Sequence, residues 1–256
     1  MLGAIAGDVI GSVYEHCPVK TEGFPLFHPH CRFTDDTVMT VAIAYAILES
    51  VDYAFALKSF GRKYPNAGYG SAFIDWIFED EVRPYNSWGN GAAMRVSPVG
   101  FAFDDIDTVL LEAKRTAEVS HNHPEGIKGA QATAVAVFLA RKGESKENIK
   151  REIARLFGYD LNRTIDEIRP SYRFDVSCQG TVPEAVIAFL DSCSYEDAIR
   201  KAISLGGDSD TLACITGGIA QAYYRSIPTE IVSMVRRTLP EDLLLIVEKF
   251  YQRFGL

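Results

Sequence analysis

Apolar residues recur at helical spacing along most of the chain. Residues 36–49 place Val38, Val41, Ala42, Tyr45, Ile47 and Leu48 mostly on one stripe, the 3.6-residue signature of a packed helix. The pattern returns over 126–141 with Ala130, Ala134, Val137 and Phe138. Ser145 is a good N-cap for the Glu- and Lys-rich stretch that ends in Leu156 and Phe157. Pro183 fits the first turn of a helix over 183–192. Ser194 with Asp197 resembles a capping box, with Asp in place of Glu, and opens a helix to about Leu205. Thr229 and Pro240 open two more, the last running to Arg253. Period-two alternation is scarce: Tyr172, Phe174 and Val176 give the best run, short and isolated. Without βαβ alternation or a GxGxxG after an apolar strand, a doubly wound sheet is disfavoured. Gly and Pro concentrate in loops at 16–34, 61–70, 84–100 and 158–182, none of them linker-like. The pattern predicts an all-α fold and one compact domain over residues 1–256.

Composition narrows the function class. With 47% hydrophobic and 23% charged residues the chain is ordinary globular protein, and its length sits at the upper size of a single core. A formal charge of −8 argues against a general nucleic-acid binder. The basic cluster from Arg141 to Arg155 is interleaved with Glu144, Glu147 and Glu152 and reads as a solvated helix face. Five cysteines with no CxxC pair read as reduced thiols. No run approaches the ~18 apolar residues of a membrane span, and the N-terminus lacks a signal peptide's basic start. A cytoplasmic location and no membrane partner are expected.

Two acidic motifs carry the chemistry. In Thr34-Asp35-Asp36-Thr37 adjacent carboxylates repel. Helix capping explains one of them easily and two less easily. In Gly206-Gly207-Asp208-Ser209-Asp210-Thr211 two carboxylates with neighbouring hydroxyls form a hard-oxygen set suited to Mg²⁺ or Mn²⁺. No nearby His or Cys points to zinc. The preceding segment is helical, unlike the strand that carries a dehalogenase-type Asp-x-Asp. An EF-hand's Gly and Glu positions hold Ala213 and Ile219, and an isoprenoid synthase's third carboxylate would fall on Met39. Two such helix starts can share one site holding two cations ~3.5–4 Å apart.

Three further segments are weaker alone. Ser87-Trp88-Gly89-Asn90-Gly91-Ala92-Ala93-Met94-Arg95 offers small residues through which backbone N–H groups can approach an anion, and also an everyday turn. Trp88 can stack on a base. Gly7 and Gly11 suit close helix packing, and Glu15 reads as a surface charge. His121-Asn122-His123-Pro124 marks a helix-start loop more than a zinc site, which needs three protein ligands.

Taken in order, these segments resemble the ADP-ribosylglycohydrolase family, which includes dinitrogenase-reductase-activating glycohydrolase and the eukaryotic ADP-ribosylhydrolases. GAIAGDVIGSVYE resembles the family's N-terminal helix, FTDDTVMT and GGDSDTLACITGGIAQAYY its metal motifs, SWGNGAAMR its substrate loop and SHNHPEGIKGA its histidine segment. The resemblance spans Gly3 to about Tyr224. It implies a compact orthogonal multi-helix bundle with a binuclear Mg²⁺ (or Mn²⁺) site in a cleft. The implied metal ligands are Thr34, Asp35, Asp36, Asp208, Asp210 and Thr211. The implied catalytic groups are Glu15, Asp35, Asp36 and Asp208, with Glu15, Asp35 or Asp36 accepting the proton. Ser87 and the backbone of Gly89, Asn90, Gly91 and Ala92 would hold a diphosphate, Trp88 would face adenine, and His121 would lie near the ribose. Met94 and Ser209, the latter where the family commonly has Thr, complete the substrate contacts. The implied activity is release of ADP-ribose from a protein side chain, nucleic acid or small conjugate by cleavage at C1 of the distal ribose. Alternatives are a non-catalytic ADP-ribose-binding or structural relative, and a phosphatase or diphosphatase. The chain is shorter than the eukaryotic members, and residues 60–84, with Tyr69, Phe73 and Trp76, match no family motif.

Overall fold

Side-chain oxygens set where many of the helices begin. The computed structural model describes residues 1–81 and 83–256. Among these the regular structure is fifteen helices: α1 (Leu2–Gly11), α2 (Asp35–Glu49), α3 (Tyr53–Lys63), α4 (Ser71–Phe78), α5 (Gly91–Met94), α6 (Ser97–Ala102), α7 (Ile106–Glu118), α8 (Pro124–Arg141), α9 (Lys146–Phe157), α10 (Ile165–Ile168), α11 (Cys178–Asp191), α12 (Tyr195–Ser204), α13 (Ser209–Tyr224), α14 (Thr229–Thr238) and α15 (Glu241–Phe254). Thr34, Asp52, Asp105, Ser145, Thr164, Ser177 and Ser194 each accept a hydrogen bond from the first turn of the helix they precede. Each satisfies a donor that the helix cannot.

The all-α expectation holds, with local corrections. The helix placed at 183–192 starts five residues earlier, at Cys178, capped by Ser177, and Pro183 lies inside it. The Ser177 cap outweighed the preference of proline for a first turn. Asp197 reaches the backbone N–H of Cys193 and not that of Ser194, so the Ser194 cap is one-sided. Segment 172–176 forms no strand, and the one β-bridge among the described residues joins Gly89 to Ser177. Loop 84–100 contains α5 and enters α6; loop 158–182 contains α10 and the start of α11; α3 occupies the first residues of 61–70.

Close packing of α1 on α13 positions the site. Gly3, Gly7 and Gly11 recur every four residues and so share one face of α1. A Cβ on Gly7 would lie 2.0 Å from the carbonyl oxygen of Ala213, and one on Gly3 2.4 Å from that of Gly217. The two backbones are therefore in direct contact. Helix α13 is buried along its length to Ala222, and α8 is likewise mostly buried, as expected of helices apolar on nearly every side. Helices α9, α12, α14 and α15 bury one face each around them. No helix among the described residues is long and apolar enough to cross a membrane.

Candidate active site

Three helices and the residues flanking two of them bring five carboxylates together. Asp8, in the second turn of α1, is fully buried. It accepts hydrogen bonds from the backbone N–H groups of Thr34 (3.0 Å) and Thr37 (3.1 Å), from the Thr34 hydroxyl (2.7 Å), and from the Thr37 hydroxyl. That contact ties α1 to the start of α2 and presents Asp36 beside Asp210 at the start of α13. Asp8, Asp36 and Asp210 have carboxylate oxygens all within 4.8 Å of one another, and so do Glu15, Asp208 and Asp210. The two groups share Asp210. The Thr211 hydroxyl donates to Asp36 Oδ2 at 3.3 Å.

Buried like charges raise one another's pKa. Burial pushes Asp8 up to about 6 against its four hydrogen bonds. Asp35 rises to about 8 through burial and the charges of Asp8, Asp208 and Glu15. Asp36 and Asp210 are raised well above the carboxylate range, by burial first and then by their acidic neighbours. Glu15 is raised by burial and Asp208, with His16 and Arg32 opposing. One oxygen of Asp36, Oδ1, is buried without a hydrogen-bond partner. An orphaned carboxylate oxygen within an all-oxygen acidic cluster fits a hard divalent cation, which would supply the missing positive charge. Sequence reasoning missed one neighbour: Cys214, one turn beyond Asp210, lies beneath the cluster with its thiol hydrogen-bonded to the carbonyl of Met94. Burial and the charge of Asp36 push that thiol well above its usual range.

The cluster opens into a cavity of about 500 Å³. Thr34, Asp35, Asp36, Asp208, Asp210, Thr211 and Glu15 all line it, and so do Ser87, Gly89, Asn90, Gly91, Met94 and His121. Asn90 joins the glycine loop to the acids, its Nδ2 donating to Asp208 Oδ2 at 2.7 Å and to Thr181 Oγ1 at 3.1 Å. Two of the four backbone donors expected for the diphosphate are already used. The N–H of Gly89 donates to Ser87 Oγ and that of Asn90 to the carbonyl of Val176. Asp35 lines the cavity but stands outside both three-carboxylate groups.

Three expected contacts lie elsewhere. Ala92 and Ser209 are buried and do not line the cavity, and the Ser209 hydroxyl bonds to the carbonyls of Gly207 and Tyr14. Trp88 is 48% exposed and outside the lining, whereas Phe174, 55% exposed, is at the cavity rim. Segment 172–176 reaches that rim because the Cys178 N–H donates to the carbonyl of Trp88 and Asn90 donates to Val176. Sequence reasoning also missed Asp8, Phe73, Tyr85 and Arg95. The available signals were a lone acid within an apolar helix, the unassigned aromatics near residue 73, and the arginine closing the SWGNGAAMR segment.

Comparison with known proteins bears on family and fold. The family model described as ADP-ribosylglycohydrolase matches residues 1–256. ADP-ribosylhydrolase ARH3 of Gallus gallus is 27% identical, aligned over 88% of this chain and 84% of its own length, and the Homo sapiens protein is equally similar over the same shares. ADP-ribosylarginine hydrolase Tri1 of Pseudomonas putida strain GB-1 is 27% identical over 92% of this chain and 72% of its own. A solved structure titled "ADP-ribosylglycohydrolase-related protein complex" shares the fold, with a TM-score of 0.71 and 24% identity, covering 98% of this chain and 96% of that one.

Proposed function

The chain belongs to the ADP-ribosylglycohydrolase family, and from that premise we propose that it is a Mg²⁺-dependent hydrolase that releases ADP-ribose from an ADP-ribosylated substrate. The observation that carries the reading is the pair of carboxylate groups sharing Asp210 at the buried end of a cavity of about 500 Å³, a size suited to a small-molecule ligand. Asp36, Asp208 and Asp210, with the hydroxyls of Thr34 and Thr211 and with Asp35 beside them, would hold two divalent ions, Mg²⁺ or Mn²⁺. Bound there, such ions supply Lewis-acid charge for gripping ribose hydroxyls and acidifying water.

The remaining steps fall to the chain's own side chains. The Gly91 end of the glycine loop and Ser87 bind the diphosphate, and the exposed ring of Phe174 covers the base. Cleavage at C1 of the distal ribose develops positive charge there, which the neighbouring carboxylates stabilise. Glu15 accepts the proton of the attacking water. It is partly exposed, and burial with Asp208 raises its pKa, which brings it toward the operating range of a general base. Five free thiols suit a reducing cytoplasm.

An activity panel tests the reading. ADP-ribosyl-arginine, ADP-ribosyl-serine, O-acetyl-ADP-ribose, poly-ADP-ribose and ADP-ribosylated nucleic acid are each incubated with the protein and Mg²⁺, with and without EDTA. Mass spectrometry should find EDTA-sensitive release of intact ADP-ribose from at least one, and that substrate names the leaving group. Release of AMP or phosphate would replace the glycosidase reading with a diphosphatase one.

A further inference from the structure

Arg95 is a buried guanidinium with no ion pair among the described residues. Its side chain is fully buried and borders the cavity. Its Nη2 donates to the carbonyl of Thr116 at 2.7 Å and to Ser120 Oγ at 2.9 Å, and the guanidinium sits 5.6 Å over the Phe73 ring. Ser120, also fully buried, lies 2.8 Å from Nδ1 of His121. His121 is held edge-on by Tyr85 at 5.6 Å, with Phe73 at 6.1 Å. Its Nε2 faces the glycine loop: a Cβ on Gly91 would approach it to 3.1 Å and one on Gly89 to 3.6 Å. Among the described residues that nitrogen has no hydrogen-bond partner.

The direction of this chain is fixed from the arginine end. A guanidinium has donors only, so Ser120 Oγ must accept from it. The hydroxyl then has one proton to place, and the other neighbour found for it is His121 Nδ1. Were Nδ1 protonated, Ser120 would accept twice and leave its own buried proton unpaired, which is costly. A doubly protonated ring would set an imidazolium beside Arg95, and burial together with Arg95 pulls the His121 pKa well down. Both alternatives are disfavoured. The hydrogen-bond partner of one ring nitrogen decides which nitrogen carries the proton.

We propose that Arg95 and Ser120 are positioning residues that lock His121 as the tautomer protonated at Nε2, so that this N–H donates to an oxygen of the ligand held against the Gly89–Gly91 loop. Within the reading of the site as an ADP-ribose pocket, that oxygen belongs to the diphosphate or the adjoining ribose. Glycine at 89 and 91 then has a second use, because a side chain there would crowd the donor.

Ring ¹⁵N spectra of the full chain, with histidine labelled, test the lock in the absence of ligand. The His121 signals are assigned as those lost in His121→Asn. The expected wild-type signature is a protonated Nε2 and an unprotonated Nδ1. Ser120→Ala should convert it to a mixture of tautomers and weaken ADP-ribose binding about fivefold, the size of one neutral hydrogen bond. ADP-ribose with Mg²⁺ should shift the Nε2–H resonance of the wild type. A protonated Nδ1 in the wild type overturns the proposal, as does a Ser120→Ala protein with unchanged tautomer and affinity. The wild-type spectrum decides the tautomer even if the variant fails to fold. Failure of the wild type to bind ADP-ribose, with Nε2 protonated, would retire the ligand assignment and leave the lock in place.

Discussion

That Asp36, Asp208 and Asp210 gather in one place was legible because paired acids at a helix start are costly without a compensating charge; Asp35 lines the same cavity outside their groups. Asp8 was not legible, since a single acid in an apolar helix is equally a cap, a mistake of packing or a ligand until its neighbours are known. In the fold it anchors the backbone of Thr34 and Thr37 and completes the acidic group. The aromatic at the cavity rim was not legible for a different reason. Sequence shows that Trp88 and Phe174 exist but not which way each ring turns, and tethering of segment 172–176 to the glycine loop brings Phe174 to the rim. Phe174→Ala should therefore raise the Kd for ADP-ribose about tenfold, as loss of one base–aromatic stack does. Trp88→Ala should leave it within about twofold; isothermal titration of both variants checks the pair, and the reverse order would restore Trp88 to the base. Asp208→Ala removes an acid shared between Asn90 and the cluster. It should lower turnover by at least about 100-fold while circular dichroism stays helical. Undiminished activity in that folded variant, stripped of metal, would sink the two-ion mechanism.

Long apolar helices such as α2 and α8, buried over most of their surface, were readable within a residue or two of their ends. Helices α5, α6 and α10 span six residues or fewer, too short for a 3.6-residue period to repeat. Pro183 misled because its usual place is a first turn, whereas Ser177, six residues upstream of the expected start, supplies the cap. The glycine spacing of α1 was read correctly as close packing, and the structure adds what it packs against. Gly7→Ala would push a methyl into the Ala213 carbonyl, a backbone atom that cannot rotate away. Helices α1 and α13 must then separate, at the upper end of the 1–3 kcal/mol typical of overpacking. For a chain of this size the Tm should fall by roughly 6–12 °C. Mg²⁺ affinity should fall as well, because Asp8 rides on α1 next to the substitution. Gly70→Ala, where nothing lies within 4 Å of the added Cβ, should change the Tm little. Equal behaviour of the two variants in a thermal melt would disprove close α1–α13 contact.

Folding this chain forces several carboxylates into one buried place, and a divalent ion bound there would offset the cost. Asp8 and Asp35 keep their protons to about pH 6 and about pH 8 in the folded protein, and Asp36 and Asp210 are raised in the same direction. In the unfolded chain an aspartate titrates near ~3.9. A folded pKa above the unfolded one means that the cluster's contribution is fully present below about pH 4 and is lost as the pH climbs through about 6 to 8. His121, held low by burial, works in the opposite sense below roughly pH 6.5, its unfolded pKa, so a metal-free Tm alone mixes the two. The increment on adding Mg²⁺ isolates the cluster, because groups remote from it cancel between the two melts. That increment should be small at pH 5, where protons compete for the oxygens, and should grow steadily to pH 8. At an ion concentration 100-fold above Kd it reaches about 2.7 kcal/mol, and EDTA should abolish it. One cooperative transition in both melts is the outcome expected if residues 1–256 form a single domain. An increment that is flat across pH 5–8, or largest at pH 5, would mean that the ion does not bind the buried carboxylates.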